Sequence, residues 1–158
     1  MTPRLLHRTA AGLEMVTWTL LILGMILKYT GVTDALVPIA GPIHGFGFLC
    51  FAAMTILIWV NNRWPFWLGI VGLVVSVIPW AALPFMMWAD RKGYLDEGWR
   101  YLGTDDKPAN AADWGLAQMV RHPVRTILIV LVIIAVIFTL LLNMGQPYDP
   151  DAIVDSVN

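Results

Sequence analysis

The chain has 158 residues, of which 58% are hydrophobic and only 13% are charged, and its mean hydropathy is +0.69. Soluble domains are closer to half apolar and about a quarter charged, so this composition excludes an ordinary soluble domain and predicts an integral membrane protein. The net charge of -1, without a basic stripe, makes nucleic acid a poor partner. The single cysteine, Cys50, excludes an intrachain disulfide and is typical of a small buried hydrophobic residue.

Four apolar segments are long enough to cross a hydrocarbon core of about 30 Å, and they cover residues 11–29, 42–60, 65–89 and 123–143. Because a chain in lipid must satisfy its backbone hydrogen bonds internally, the sequence predicts an all-α membrane protein with four transmembrane helices. Pro42, Pro65 and Pro123 fit the first turns of three of them. The basic N-terminus resembles a signal peptide, but no small-residue cleavage site follows, so we expect a retained helix.

The first segment carries an acid and a base on one face. Glu14 and Lys28 are fourteen positions apart, which places them within about 40° of each other around a helix and about 21 Å apart along it. Glu14 is expected near one membrane surface and Lys28 near the other. Because a charge facing lipid is costly, both are expected to face another helix. The alternative is that both reach the headgroups as interfacial anchors.

The second segment opens with a histidine, His44, among glycines that allow close helix approach. In an antiparallel hairpin with the first segment, His44 returns to the depth of Lys28. The other histidines, His7 and His122, lie outside the apolar runs, so a hydrogen-bonded histidine is favoured over a metal or haem ligand. The sequence predicts no metal site and no cofactor.

A hairpin of four residues, 61–64, joins the second and third segments and places Arg63 at the membrane surface expected for Glu14. An ion pair between Arg63 and Glu14 is therefore available. Together with Lys28 and His44, these two residues form the candidate intramembrane polar cluster.

The third segment has small residues on one face, Gly69, Gly72 and Ser76, which predict a packing groove for another helix. Pro79 and Pro84 are expected to kink or loosen its second half. Carbonyls freed by such a kink offer a second, less favoured place for a ligand.

A polar segment, 90–122, separates the third and fourth apolar segments. Its stretch 110–121 predicts a short helix with Asn110 as N-cap and Asp113 in the first turn. The apolar side expected to lie on the membrane surface is formed by Ala111, Trp114, Ala117 and Val120. The acidic tail 144–158 is predicted to be extended or flexible.

The distribution of basic residues gives two conflicting indications of how the protein is oriented in the membrane. With four crossings, the side that holds 90–122 has seven Lys or Arg, and the other side has Arg4, Arg8 and Arg63. The positive-inside rule then favours both termini outside the cytoplasm, although Arg4 and Arg8 on their own favour a cytoplasmic N-terminus.

Four sequence motifs resemble a family of small bacterial integral membrane proteins known only as a domain of unknown function and common in high-GC Gram-positive bacteria. They are E-x-V-T-W-T-L-L-I-L-G-M-x-L-K-Y (14–29), G-P-I-H-G (41–45), N-x-R-W (61–64) and P-x-x-x-x-P-F-x-x-W-A-D-R (79–91). The resemblance covers residues 1–95 and implies a three-helix membrane core. It marks Glu14, Lys28, His44 and Trp64 as motif positions and implies no activity. The loop 96–122, the helix 123–143 and the tail lie outside it.

Two hypotheses of function follow. The favoured one is a non-enzymatic accessory or assembly subunit of a larger complex, such as a respiratory-chain or cell-envelope assembly in a bacterial plasma membrane. Its expected partners are membrane lipid and other membrane subunits, contacted through the third or fourth helix. The alternative is a small oligomeric transporter, channel, or lipid or quinone binder that uses Glu14, Lys28 and His44. An enzyme is not expected, because no nucleophile is paired with a base and no metal spacing occurs.

Overall fold

The computed structural model describes residues 2–95 and 98–144, which form six α-helices, one short 3-10 turn and no strand. The helices are α1 Pro3–Tyr29, α2 Val37–Asn61, α3 Phe66–Val74, α4 Ala82–Arg91, α5 Ala111–Arg121 and α6 Pro123–Met144. Three of them, α1, α2 and α6, are long and apolar enough to cross a membrane, and a shorter apolar helix covers Phe66–Val77. The predicted all-helical membrane protein is confirmed. Nearly all of the predicted flexible tail lies outside the described residues.

The long helices α1 and α2 form an antiparallel hairpin. We call the end where α1 begins and α2 ends the basal end, and the opposite end the distal end. Both helices start earlier than the apolar segments do. The Thr2 hydroxyl accepts the N–H of Leu5 at 3.3 Å and caps α1, whose first residue is Pro3. In α2 it is Pro38, rather than Pro42, that occupies the first turn, so Pro42 lies inside the helix.

The third apolar segment, predicted as one helix over 65–89, is divided in two. A 3-10 turn, Val75–Val77, follows α3, and Ile78 then adopts extended backbone angles (φ -97°, ψ 120°). This break has a local cause, because Pro79 lacks an N–H and disfavours the helical conformation of the residue before it. Trp80 follows with φ 60°, a left-handed conformation that completes the turn. The expected loosening occurs at Pro79, whereas Pro84 lies in the first turn of α4 and is tolerated there.

After this break the chain turns back, and α3 and α4 form a unit that we call the short hairpin. At its open side, Trp64 Nε1 just before α3 donates to the carbonyl of Tyr94 just after α4, at 2.6 Å. The start of α3 and the end of α4 therefore both lie at the basal end. The core of the protein is here too, where Phe51, Leu68 and Met86 pack together almost fully buried.

The polar segment contains the predicted short helix, α5, and Asn110 caps it by accepting the N–H of Asp113 at 2.8 Å. Of the side chains expected on the membrane surface, Ala117 faces the protein instead, whereas Trp114 is exposed, as a residue facing lipid would be. Asp113, Leu116 and Ala117 are its buried residues, whereas Trp114 is 60% exposed. Leu116 and Ala117 pack with Leu57 and Val60 near the end of α2, so α5 lies against the protein at the basal end.

The last helix, α6, leaves α5 at the basal end and runs beside α2 to the distal end. Phe138, late in α6, makes an edge contact with Phe46, early in α2, with ring centroids 6.0 Å apart. Its own buried residue is Ile134, and most of its other apolar side chains are exposed. It is therefore attached to the core along one narrow face.

Candidate functional site

The candidate site is built around Glu14, on the buried face of α1. That face is formed by Pro3, His7, Ala11 and Glu14, spaced four, four and three residues apart as a helix face requires. Glu14 is 1% exposed. Because α1 begins at Pro3, Glu14 lies about 16 Å along a helix of about 40 Å, near its middle. The earlier helix start places Glu14 about three turns inside α1 rather than in its first turn.

His44 of α2 faces Glu14 and Thr17 across the seam between the two helices. Its Nδ1 lies 3.1 Å from the Thr17 hydroxyl and 3.9 Å from Glu14 Oε1. The Trp18 ring covers the imidazole, with ring centroids 4.2 Å apart. Gly47, one turn further along α2, lies beside the same side chains, since a Cβ there would be in van der Waals contact with Thr17 at 3.4 Å and with Glu14 Oε2 at 3.5 Å.

Glu14 is poorly satisfied where it lies. Among the described residues, neither carboxyl oxygen has a hydrogen-bond partner, since the Thr17 hydroxyl donates to the Glu14 backbone carbonyl at 3.0 Å. A buried polar group without a partner costs roughly 1–3 kcal/mol in mutational data. A buried carboxyl that is kept at such a cost marks a functional-site hypothesis in a membrane helix. Chemically, these atoms suit holding a proton or a small cation.

The same geometry is not that of nucleophilic catalysis. Both the Thr17 hydroxyl and the Glu14 carboxyl approach Nδ1 of His44. A catalytic base needs the nucleophile at one ring nitrogen and the orienting acid at the other. The three side chains therefore form a cluster around one nitrogen rather than a relay through the ring.

Two members of the predicted cluster lie elsewhere. Lys28 is exposed in the last turn of α1, at the distal end, and Arg63 is exposed in the basal turn after α2. His44 lies opposite Thr17 rather than Lys28, because α2 begins at Val37 and the histidine is already two turns inside it. The predicted Arg63–Glu14 pair is absent from the described contacts, since Glu14 lies several turns inside α1. The structure thus unites Glu14 and His44 only.

A second buried imidazole, His7, was missed by the sequence reasoning. Its exposure is 0%, its Nε2 lies 3.5 Å from the Thr55 hydroxyl, and its ring stacks on Phe51 at 5.6 Å. Nδ1 has no hydrogen-bond partner among the described residues. The available signal was its position seven residues before Glu14, which places both on one helix face.

A further missed cluster anchors the polar segment at the basal end. Arg100 pairs with the Asp113 carboxylate and also donates to the Val60 carbonyl at 2.6 Å. The buried side chain of Asn61 accepts the Arg100 N–H at 3.1 Å and donates to the Gly98 carbonyl at 3.2 Å. These bonds satisfy the carbonyl end of α2 and fix the loop to it.

The small residues of the third segment do form a packing face, and helices of the same chain occupy it. A Cβ at Gly69 would lie 2.0 Å from the Trp59 ring, and one at Gly72 would lie 2.9 Å from Thr55. Ser76 is 1% exposed, and its carbonyl accepts Trp18 Nε1 at 3.3 Å. No group of three or more His, Cys, Asp or Glu side chains suited to a metal occurs within 2–95 and 98–144.

Comparison with known proteins places these features in a family context. The sequence profile described as "Domain of unknown function (DUF3817)" matches residues 5–91, from the third residue of α1 to the last residue of α4. A protein of Streptomyces coelicolor named "Putative membrane protein SCO5905" is 36% identical over 91 residues, covering 55% of this chain and 10% of that protein. The chain thus spans about a tenth of the length of that relative. No solved structure matches the chain.

Proposed function

The chain belongs to the DUF3817 family, and we propose that it is a non-enzymatic accessory or assembly subunit of a larger membrane assembly. One observation carries the proposal. The stretch similar to this chain makes up only 10% of SCO5905, so a related helical unit is built into a much longer polypeptide. This arrangement supports a unit that works together with further polypeptide, which a separate chain would obtain by binding a partner. The host we favour is a respiratory-chain or cell-envelope assembly in a bacterial plasma membrane.

The structure supports one helix as the docking element. The small residues of α3 are already covered by α2, which removes the predicted groove from the available surfaces. By contrast α6 lies beyond the family match and carries a row of exposed apolar side chains that includes Leu128, Val132 and Val136. We therefore assign the partner contact to this outer face of α6, where packing against another helix replaces lipid.

Affinity capture from mild-detergent membranes tests the proposal. The matched variants are Leu128→Phe with Val132→Phe on α6, and Leu13→Phe with Val16→Phe on α1, because each pair replaces one exposed leucine and one exposed valine of a long apolar helix. We expect stoichiometric partner subunits with the parent chain and the α1 pair, and their loss with the α6 pair. A chain that purifies alone, or partners that remain with the α6 pair, would contradict this assignment.

A second candidate function is favoured by the unsatisfied carboxyl of Glu14. In this candidate an oligomer of the chain transports a proton or small cation, or binds a lipid or quinone headgroup, through Glu14 and His44. Glu14→Gln should abolish flux into proteoliposomes or ligand binding while abundance stays unchanged. Lys28→Met is the control, because Lys28 is exposed outside the cluster. Loss of abundance in Glu14→Gln, without a specific loss of activity, would assign the carboxyl a structural role.

A further inference from the structure

The short hairpin is too short for either of its arms to cross a membrane. The arm of α3 with its 3-10 turn has twelve residues, Phe66–Val77, and extends about 18–20 Å. The arm of α4 has ten residues and extends about 15 Å. A hydrocarbon core measures about 30 Å, so one arm reaches roughly half of its depth.

Both open ends of the short hairpin are held at the basal end. Arg4, at the start of α1, has its Nε 2.8 Å from Asp90 Oδ1 near the end of α4. Arg4 Nη2 also donates to the Leu95 carbonyl at 3.1 Å. Together with the bond from Trp64 to Tyr94, these contacts bring the chain back to the surface from which α3 departed.

The tip of the short hairpin lies against the middle of α1. Trp18 Nε1 donates to the Ser76 carbonyl at 3.3 Å, and Trp80 Nε1 donates to the Thr19 hydroxyl at 2.9 Å. Non-helical backbone at membrane depth is tolerated only where protein or a cavity satisfies its polar groups. The Trp18 indole meets that condition for the Ser76 carbonyl at the break, and the Trp80 indole attaches the turn to α1 through a bond between two side chains.

We propose that Phe66–Arg91 form a re-entrant hairpin that enters and leaves the membrane at the basal end, so that the chain crosses only with α1, α2 and α6 and the basal end faces the cytoplasm. This arrangement changes the side of the membrane on which several basic residues lie. The basal end then holds Arg4, Arg8, Arg63, Arg91, Lys92, Arg100, Lys107, Arg121 and Arg125, and the distal end holds Lys28.

Nine of the ten lysines and arginines therefore meet one leaflet. This distribution follows the positive-inside rule far more closely than the seven and three that four crossings give. The basic face fits the anionic headgroups of the cytoplasmic leaflet. The N-terminus and the segment after α4 are then cytoplasmic, and the end of α6 is extracytoplasmic. This orientation differs from the one expected from the sequence, because that expectation counted the third segment as a crossing. The inference is independent of the accessory role.

Cysteine accessibility in intact bacterial cells decides between the two arrangements. In the full-length chain with Cys50→Ala, single cysteines are placed by Asp34→Cys in the distal turn and by Asp105→Cys in the segment before α5. Both substitutions replace an exposed aspartate, so they form a matched pair. A membrane-impermeant maleimide is applied before and after lysis.

We expect Asp34→Cys to be labelled in intact cells and Asp105→Cys only after lysis. With four crossings both positions lie on the same side, so equal behaviour of the two cysteines would overturn the proposal. Labelling of Asp105→Cys alone in intact cells would overturn the assigned orientation. If Cys50→Ala lowers abundance, Cys50→Ser provides the background, and normal abundance of each single-cysteine chain confirms that the native fold is being probed.

Discussion

Arg4 and Asp90 join the first helix of the chain to the last residues of the short hairpin, with 2.8 Å between Nε and Oδ1. Their side chains are 37% and 35% exposed, and pairs this accessible contribute at most about 1 kcal/mol because water and salt screen them. Within residues 2–95 and 98–144, Arg4 also donates a hydrogen bond to the Leu95 carbonyl, a contact that Asp90 does not share. Removing the Arg4 side chain is therefore expected to cost more folding stability than removing the Asp90 carboxylate.

We predict that Arg4→Met destabilises the protein more than Asp90→Asn does. Asp90→Asn should lower the free energy of unfolding by less than about 1 kcal/mol, and Arg4→Met should lose about 1 kcal/mol more because the Leu95 carbonyl loses its donor. Denaturant unfolding in detergent, completed by the double variant, measures both losses and the coupling between them. Equal losses would show that the Leu95 bond contributes nothing.

Gly69 tests the packing of α3 on α2. A methyl group at this position would overlap the Trp59 ring at 2.0 Å, so Gly69→Ala should destabilise by about 1–3 kcal/mol through overpacking. Gly12→Ala is the control, because nothing lies within 4 Å of a Cβ there, and alanine should stabilise α1 by up to about 1 kcal/mol. Thermal unfolding in detergent compares them. A neutral Gly69→Ala would mean that α3 can move away from α2.

The buried carboxyl of Glu14 is predicted to lower the free energy of unfolding of the protein. Since both carboxyl oxygens lack partners among the described residues, Glu14→Met should leave the free energy of unfolding unchanged or raise it by about 1–3 kcal/mol. Met15→Leu, one residue away, serves as the control for a change in the same turn. Thermal unfolding measures the effect, and a large destabilisation by Glu14→Met would show that the carboxyl is a structural contact.

Asn110 is predicted to hold α5 in place through its cap. Asn110→Ala should cost about 1 kcal/mol because the Asp113 N–H loses its acceptor, whereas Asn110→Asp keeps an acceptor oxygen and should be nearly neutral. Limited proteolysis of the segment before α5 provides the readout, with faster cleavage expected in Asn110→Ala only. Identical cleavage of the two variants would mean that the contacts of Arg100 with Asp113 and Val60 hold this segment without the cap.

Hydropathy was sufficient to predict the membrane class and the long apolar helices α1, α2 and α6, and the residue types at Asn110 and Asp113 were sufficient to predict the cap of α5. The residues at which the helices begin were harder to predict from the sequence. Polar side chains such as Arg4 and His7 continue α1 beyond its apolar run, and this extension places Glu14 near the middle of the helix rather than in its first turn. The presence of a proline did not decide whether a helix would end there. The helical segment ends just before Pro79, whereas Pro42 is accommodated inside α2.

The candidate site was half predicted. Glu14 and His44 of the candidate cluster lie together, although the antiparallel pairing led us to expect His44 at the depth of Lys28, whereas Lys28 and Arg63 do not join them. Residue type identified the candidates, but only the register of α1 against α2 decides which of them meet. The role of Arg100 was not recognised, because it bonds the Val60 carbonyl at the end of α2 and the Asp113 carboxylate of α5, and no spacing in the sequence reveals either contact.

The two indole bonds at the tip of the short hairpin also set an order of biogenesis. The donor for the Ser76 carbonyl and the hydroxyl that receives the Trp80 indole both belong to α1, which leaves the ribosome before either arm of the short hairpin. A chain that inserts from its N-terminus therefore has the partner in place when residues 66–91 arrive. A circular permutant that delivers these residues before α1 would expose the broken backbone to lipid during synthesis, where nothing compensates it.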